Sequence, residues 1–241
     1  MSQPETLLLD ADILLYQASV VVEKEAQWDN DVWTLMSDPK DAIVLLEDTI
    51  ATFEEDTGIA SSDMVFALSD AKNFRYGVSP TYKSNRQGKR KPLCYPSVKQ
   101  HLINKYSTIS FPNIEGDDVL GLLQTEKTAI WSGDKDLKQI AGTHWVDDDW
   151  EEITQEEADY FFLYQVLVGD ASDGYRGCPG MGPVSTDKLL ALDPTWEAVV
   201  AAYEKKGLFE ADALITARMA RILRVGEYDL QTKQPRLWSP A

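Results

Sequence analysis

Cysteine and histidine are scarce: two of each occur in 241 residues. Cys94 and Cys178 form no spacing pattern that would pair them, which excludes a disulfide-stapled scaffold and points to a reduced, intracellular protein. Neither His101 nor His144 lies in a motif, so no histidine general base is assigned. No apolar run approaches the ~18 residues of a membrane helix. The start, Met1 to Glu5, lacks the basic region that opens a signal peptide. Internal repeats and low-complexity linkers are absent. These absences predict a soluble, cytoplasmic, monomeric protein with no membrane contact, and 44% hydrophobic residues are enough to bury a core.

Basic residues are also in the minority, with 23 against 40 acids and a net charge of −17. That balance alone argues against a nucleic-acid binder. The distribution reverses the inference. Lys72, Arg75, Lys83, Arg86, Lys89, Arg90, Lys91, Lys99 and Lys105 fall in one segment, 72–105, that contains no Asp or Glu. Arg75, Lys83 and Arg86 alternate with Phe74, Tyr76 and Tyr82, placing cations for phosphates beside rings for base stacking. A solvated surface loop is the plainer alternative.

The acids are clustered as well. Glu115, Asp117, Asp118, Asp134 and Asp136 stand at the edges of apolar runs. Val119, Leu120, Leu122 and Leu123 continue the first group as a helix, so Asp117 and Asp118 sit in its first turn, where negative charge is favoured. Ala129 to Trp131 is a short buried strand with Asp134 and Asp136 just beyond it. The strand at residues 6–9 ends at Asp10, and the strand at 63–68 is followed by Asp70. Ligands of α/β proteins bind at the carboxyl ends of the strands. Carboxylates massed there repel one another unless they hold a hard cation such as Mg²⁺ for work on phosphates. Asp10 alone would also serve as a helix N-cap.

Residues 28–37 alternate polar and apolar around Asp29 to Asp31 and read as a hairpin or excursion. Helical spacing covers 39–55 and 96–106, strands are expected at 107–111 and 143–146, and a short helix follows Asp136. The acids at 147–152 lack the spacing of a calcium loop and read as a solvated turn. A helix over 155–168 leads into a stretch rich in glycine up to Gly182, with Asp170 and Asp173 at its entry and Pro183 opening the next helix. Backbone N–H groups at such a turn suit a phosphate. A helix over 211–225 carries Arg218, Arg221 and Arg224, which either extend a DNA-facing stripe or form a solvated face.

The order Asp10, Asp70, Glu115-x-Asp117-Asp118, Asp134-x-Asp136, Asp170-x-x-Asp173 and Gly180-x-Gly182 resembles the flap endonuclease/5′-nuclease superfamily over residues 7–190. The tail, with Arg221 to Asp229 and the closing Leu237 and Trp238, looks most like the phage T7-type 5′→3′ exonuclease branch. The resemblance implies one PIN-like α/β domain over 1–241: a mainly parallel sheet in 1–150 with the basic arch at 72–105, and a helical part from 155 with a helix–three-turn–helix at about 156–192. It implies two Mg²⁺ or Mn²⁺ ions. Asp10, Asp70, Glu115 and Asp117 would hold the first, Asp134, Asp136 and Asp173 the second, with Asp118 and Asp170 in support. Lys83 and Arg86, with Asp10 and Asp134, would be catalytic. Arg75, Tyr82, Lys83, Arg86, Gly180 and Gly182 would contact DNA at duplex 5′ ends and flaps, and carbonyls of the glycine turn could hold K⁺. The implied activity is 5′→3′ exonuclease or flap endonuclease, in the host cytoplasm if phage-encoded. Competing expectations are a PIN-type ribonuclease, an RNA–DNA hybrid nuclease, an inert DNA-binding member and a small-molecule phosphatase.

Overall fold

The computed structural model describes residues 3–86 and 88–240. The chain opens with β1 (Thr6–Asp10) and α1 (Ala11–Val21), followed by a hairpin of β2 (Lys24–Trp28) and β3 (Val32–Met36). Next come α2 (Pro39–Thr57), β4 (Met64–Ala67), the single turn α3 (Arg75–Val78), α4 (Tyr95–Lys105) and β5 (Ser107–Ile109). Then follow α5 (Gly116–Leu123), β6 (Thr128–Trp131), β7 (Gly142–Val146) and β8 (Asp149–Ile153). Four helices finish the fold: α6 (Gln155–Val168), α7 (Pro183–Leu190), α8 (Trp196–Glu204) and α9 (Glu210–Ala220).

Six strands form one sheet in the order β5-β4-β1-β6-β7-β8. All neighbours run parallel except β7 and β8, so the mainly parallel α/β expectation holds. β1 lies between β4 and β6 and is covered on both faces, which explains its unbroken Leu7, Leu8, Leu9 run. Leu7 and Leu9 pack toward α1, α2 and α4. Leu8 faces the opposite way, against Ile130 of β6, Val119 and Leu120 of α5, and Ile222 and Leu223 beyond α9. A third cluster lies among α6, α7, α8 and α9 and takes in Tyr82 of the basic segment.

Several boundaries differ from the sequence expectation. The acidic turn at Asp147 and Asp148, both with positive φ, links β7 to β8, a strand whose mostly polar residues hid it. Lys135–Gln139 is a short 3-10 helix. The last helix stops at Ala220, because Arg221 turns extended. Among the described residues, the segment expected as an arch contains α3, a 3-10 turn at Ser84–Arg86 and the whole of α4. The excursion at 28–37 is a projecting hairpin with Trp28 and Trp33 exposed.

Candidate active site

Two strand ends and two helix starts converge at the carboxyl edge of the sheet. Asp10 closes β1 and caps α1; its Oδ1 accepts from the Ile13 N–H at 3.2 Å and its Oδ2 from the Ser132 hydroxyl at 2.9 Å. Glu115 caps α5, and Asp117 stands in that helix's first turn. Asp134 follows β6 and accepts from the Asp136 N–H at 2.9 Å. Asp10, Asp12, Glu115, Asp117 and Asp134 line one open cavity of about 450 Å³. Glu115, Asp117, Asp136 and Asp173 also border a second cavity of about 10 Å³, the size of a single water, whose other walls include Arg75, Tyr82 and the apolar Met219 and Ile222. Glu115 and Asp117 belong to both.

The charges are crowded. Burial, followed by the neighbouring charges of Asp12 and Asp134, pushes Asp10 up to about 6 despite its two hydrogen bonds. Asp136 is pushed up to about 7 by burial, then by Asp134 and Asp170. Asp117 is raised far above the carboxylate range by burial and by Asp10 and Asp134. The Oδ1 of Asp136 is buried without a hydrogen-bond partner. Buried, mutually repelling oxygen donors with an orphaned lone pair suit hard divalent cations. Among the described residues, no three of these side chains converge on one ligating point. Two of them are drawn to protein cations instead: Lys83 Nζ donates to Glu115 at 2.6 Å and Arg86 to Asp173 at 2.8 Å. Burial would raise Glu115, but the charges of Lys83 and Arg75 outweigh it and hold the carboxyl low.

The basic segment is docked onto the loop that carries Asp173. The Lys83 N–H donates to the Asp173 carbonyl at 2.7 Å, and Asn85 donates to the carbonyls of Ala171 and Ser172. Lys83 itself adopts a left-handed φ of 48°, a conformation a lysine keeps only when its surroundings fix it. Gly174 makes the approach possible: at φ 76°, an added Cβ would meet the Thr81 carbonyl at 2.7 Å. Asp170 accepts from Ser172 and from the Asp173 N–H, so it shapes this loop without lining either cavity.

Four of the expected site residues are engaged by partners within the protein. Arg75 is 3% exposed, pairs with both oxygens of Asp118 at 2.7 Å, and donates to the carbonyls of Met219 and Arg221. Asp118 is correspondingly not open to a metal, since it is fully buried and also accepts from the Glu115 and Leu223 N–H groups. Tyr82 is buried and cannot stack on a base; its hydroxyl donates to Glu115 at 2.7 Å and Asp173 at 3.1 Å. Asp70 turns aside to the N–H groups of Asn113 and Ala71. In its place the structure brings Asp12, held by the Ser69 N–H at 2.8 Å and the Tyr95 hydroxyl at 2.7 Å. Its signal was a second acid two residues past the first strand, easily taken for the start of α1.

The glycine turn at 177–182 leads into α7, and the Gly182 N–H is engaged by Ser185 Oγ at 2.9 Å. Lys206 reaches over Gly180 from the end of α8, a basic neighbour that no local motif announced. Asp187 accepts from Tyr160 at 3.0 Å. The three arginines near the tail form neither a DNA stripe nor a solvated face. Arg218 donates to the Trp238 carbonyl, Arg221 pairs with Glu227, and Arg224 pairs with Asp159 and donates to the Gln139 carbonyl.

A mainly parallel sheet with acids massed at its carboxyl edge and a basic segment beside them defines a nuclease-like centre. Comparison with known proteins supplies the family. Residues 5–161 match the family described as 5′-3′ exonuclease, N-terminal resolvase-like domain. The chain is 30% identical to the exonuclease of Escherichia phage T7, over 97% of this chain and 93% of that protein. It is 27% identical to the flap endonuclease Xni of Shewanella woodyi, over 69% of this chain and 73% of that protein. Among solved structures, the bacteriophage T5 flap endonuclease complexed with DNA and metal ions superposes with a TM-score of 0.67 at 12% identity, covering 89% of this chain and 88% of that one. The Rad2 catalytic core in complex with DNA substrate gives 0.52 at 18% identity, covering 85% of this chain and 66% of that one. The chain belongs to the 5′-3′ exonuclease family. By family it is a 5′→3′ nuclease.

Proposed function

We propose that this chain is a divalent-metal-dependent 5′→3′ exonuclease and flap endonuclease that hydrolyses DNA phosphodiesters at duplex 5′ ends. The observation that carries the proposal is the pair of abutting carboxylate cavities, which share Glu115 and Asp117 and have a basic segment along their rim. Asp10, Asp117 and Asp134 would hold one Mg²⁺ or Mn²⁺ ion in the open cavity. Asp136 and Asp173 would hold another at the enclosed one, with Glu115 between them. When bound, such ions lower the pKa of a water and stabilise charge on a phosphoryl oxygen.

The protein's own groups do the rest. Asp10 is fixed from two sides by Ile13 and Ser132, so its carboxylate is preorganised. Lys83 and Arg86 are within reach of the same carboxylates. From these positions Lys83 and Arg86 would stabilise the charge that develops on the scissile phosphate. Asp170 keeps Asp173 in place through the turn that it caps. Gly180 and Gly182, with Lys206 alongside, would meet the duplex backbone, and K⁺ on the turn's carbonyls would add a further positive charge. Such contacts position the strand without reading its bases.

The test is product length from a flap duplex labelled separately on its 5′ end and on its 3′ side, in Mg²⁺ and in EDTA. Mononucleotides or very short 5′ products are expected of the exonuclease, and release of the whole flap of the endonuclease. Cutting of an RNA strand alone would transfer the proposal to hybrids. No Mg²⁺-dependent cleavage of any strand would overturn it.

A further inference from the structure

The tail passes between two of the elements that carry the acids. After α9 the backbone turns extended at Arg221, and its polar groups then point alternately to opposite sides, as in a strand. On one side the Ala220 carbonyl accepts from Gln139 Nε2 at 2.7 Å, and the Ile222 N–H donates to Gln139 Oε1 at 3.2 Å. On the other the Arg221 carbonyl accepts from Arg75, and the Leu223 N–H donates to Asp118 at 3.1 Å. Gln139 ends the 3-10 helix that carries Asp136. Asp118 belongs to α5, which carries Asp117 and is capped by Glu115. Gly121 of α5 admits the tail this closely, since an added Cβ would run into the Leu223 carbonyl. One stretch of backbone therefore couples the two elements. Its Met219, Ala220 and Ile222 also wall the small cavity that Glu115, Asp117, Asp136 and Asp173 border.

Gln139 is the joint between the 3-10 helix and the tail. Its side chain is fully buried and also donates to Gln165 of α6, while its carbonyl accepts from Arg224 at 3.1 and 2.7 Å. A short 3-10 helix has poor hydrogen-bond geometry of its own, so its orientation comes from such external ties. Asp136 depends on that orientation more than the other acids do. Asp10 is fixed by Ile13 and Ser132, and Glu115 by Lys83 and Tyr82. Among the described residues, the buried Oδ1 of Asp136 has no partner. Its carboxylate is aimed by the backbone that Gln139 anchors.

We infer that Gln139 is a positioning residue: by joining the 3-10 helix to the tail, it sets the separation between Asp136 and the acids of α5, and with it the spacing of two divalent ions. Centres of this kind hold their ions about 4 Å apart, so a small shift of one acid-bearing element matters. The inference rests on the metal-dependent reading proposed above, and its test reads the ions as well as turnover. Mn²⁺ is titrated into the full chain without DNA and followed by electron paramagnetic resonance, in which a close pair of ions gives a distinct spin-coupled signal. Duplex Kd in Ca²⁺ and Mg²⁺-dependent turnover are measured on the same preparations. The parent should bind two ions and show the coupled signal. Gln139→Met keeps the length of the side chain and removes its hydrogen bonds. It should bind the second ion about tenfold more weakly and lose the coupled signal, with kcat reduced and both KM and duplex Kd unchanged. Gln139→Asn, the same amide on a shorter stem, should lose that signal too and carries the test where the methionine variant does not fold. Gln165→Met removes the α6 partner alone; its melting midpoint should fall while the coupled signal stays. Parent-like coupling in a folded Gln139 variant, or an equal loss of coupling in Gln165→Met, overturns the inference. A parent that binds no ion pair overturns it together with the metal reading. Coupling that depends on Gln139, in a protein that cuts no strand in Mg²⁺, would uphold it and overturn the nuclease proposal instead.

Discussion

Replacing Arg75 with methionine distinguishes a buried tie from a DNA contact. The substitution keeps an apolar stem but removes a guanidinium that is 3% exposed and bonded to both oxygens of a fully buried Asp118. Asp118 would keep only the Glu115 and Leu223 N–H groups, at 3.1 Å each. The carbonyls of Met219 and Arg221 would lose the donor that draws the end of α9 to this site. Breaking one side of a buried ion pair costs about 3–5 kcal/mol. For a chain of this size each kcal/mol lowers the melting midpoint by about 2–4 °C, so a fall of roughly 10 °C is expected. The double variant Arg75→Met/Asp118→Leu removes the orphaned charge and should recover a good part of the loss. The assay is urea unfolding followed by circular dichroism, together with the salt dependence of duplex binding for whichever variants stay folded. A phosphate contact would reduce the slope of log K against log[salt] by about 0.9, whereas a buried tie leaves it unchanged. A variant with the parent's stability and a slope reduced by that amount would refute the structural role.

Asp134→Ala should abolish Mg²⁺-dependent cleavage without lowering the melting midpoint, because it relieves Asp10, Asp117 and Asp136 of a like charge; undiminished turnover would remove Asp134 from the site. Lys83→Ala should slow turnover far more than it weakens duplex binding, and equal losses would reduce Lys83 to a simple phosphate contact. Without divalent ions, stability should fall as pH rises from about the ordinary 3.8 of an aspartate toward 6 and 7, because Asp10 and Asp136 hold their protons more tightly when folded. Mg²⁺ should abolish that fall, so its thermal shift should be larger at pH 8 than at pH 5; equal shifts at both would contradict the crowding described. Gly174→Ala, at φ 76° and facing the Thr81 carbonyl, should cost about 1–3 kcal/mol and depress turnover by lifting Lys83 off the Asp173 loop. Parent-like stability and turnover would show that the close approach is dispensable.

The sequence alone determined the sheet and most of the acids at its edge. Leu7 to Leu9, Met64 to Ala67 and Ala129 to Trp131 are short apolar runs that end at polar residues, and burial on both faces leaves such runs little choice but central parallel strands. Because a strand end fixes where the next residue points, Asp10 and Asp134 could be assigned to one rim from their positions alone. The glycine turn before Pro183 was legible for a similar reason, since its geometry is local.

Which charges are free and which are spent could be decided only by the tertiary structure. Arg75, Asp118 and Tyr82 carry the same side chains as true ligand or phosphate contacts, and their partners lie as far away in sequence as Met219, Arg221 and Asp173. The same holds for Arg221 and Arg224, which pin the tail to residues that no local periodicity indicates. Asp70 and Asp12 differ in the partners that the fold brings beside them, the Asn113 N–H for Asp70 and the Ser69 N–H and Tyr95 hydroxyl for Asp12. An ionic or polar side chain acquires its role from its partners. Those partners are set by long-range packing, whereas strands and turns are set by neighbours in the chain.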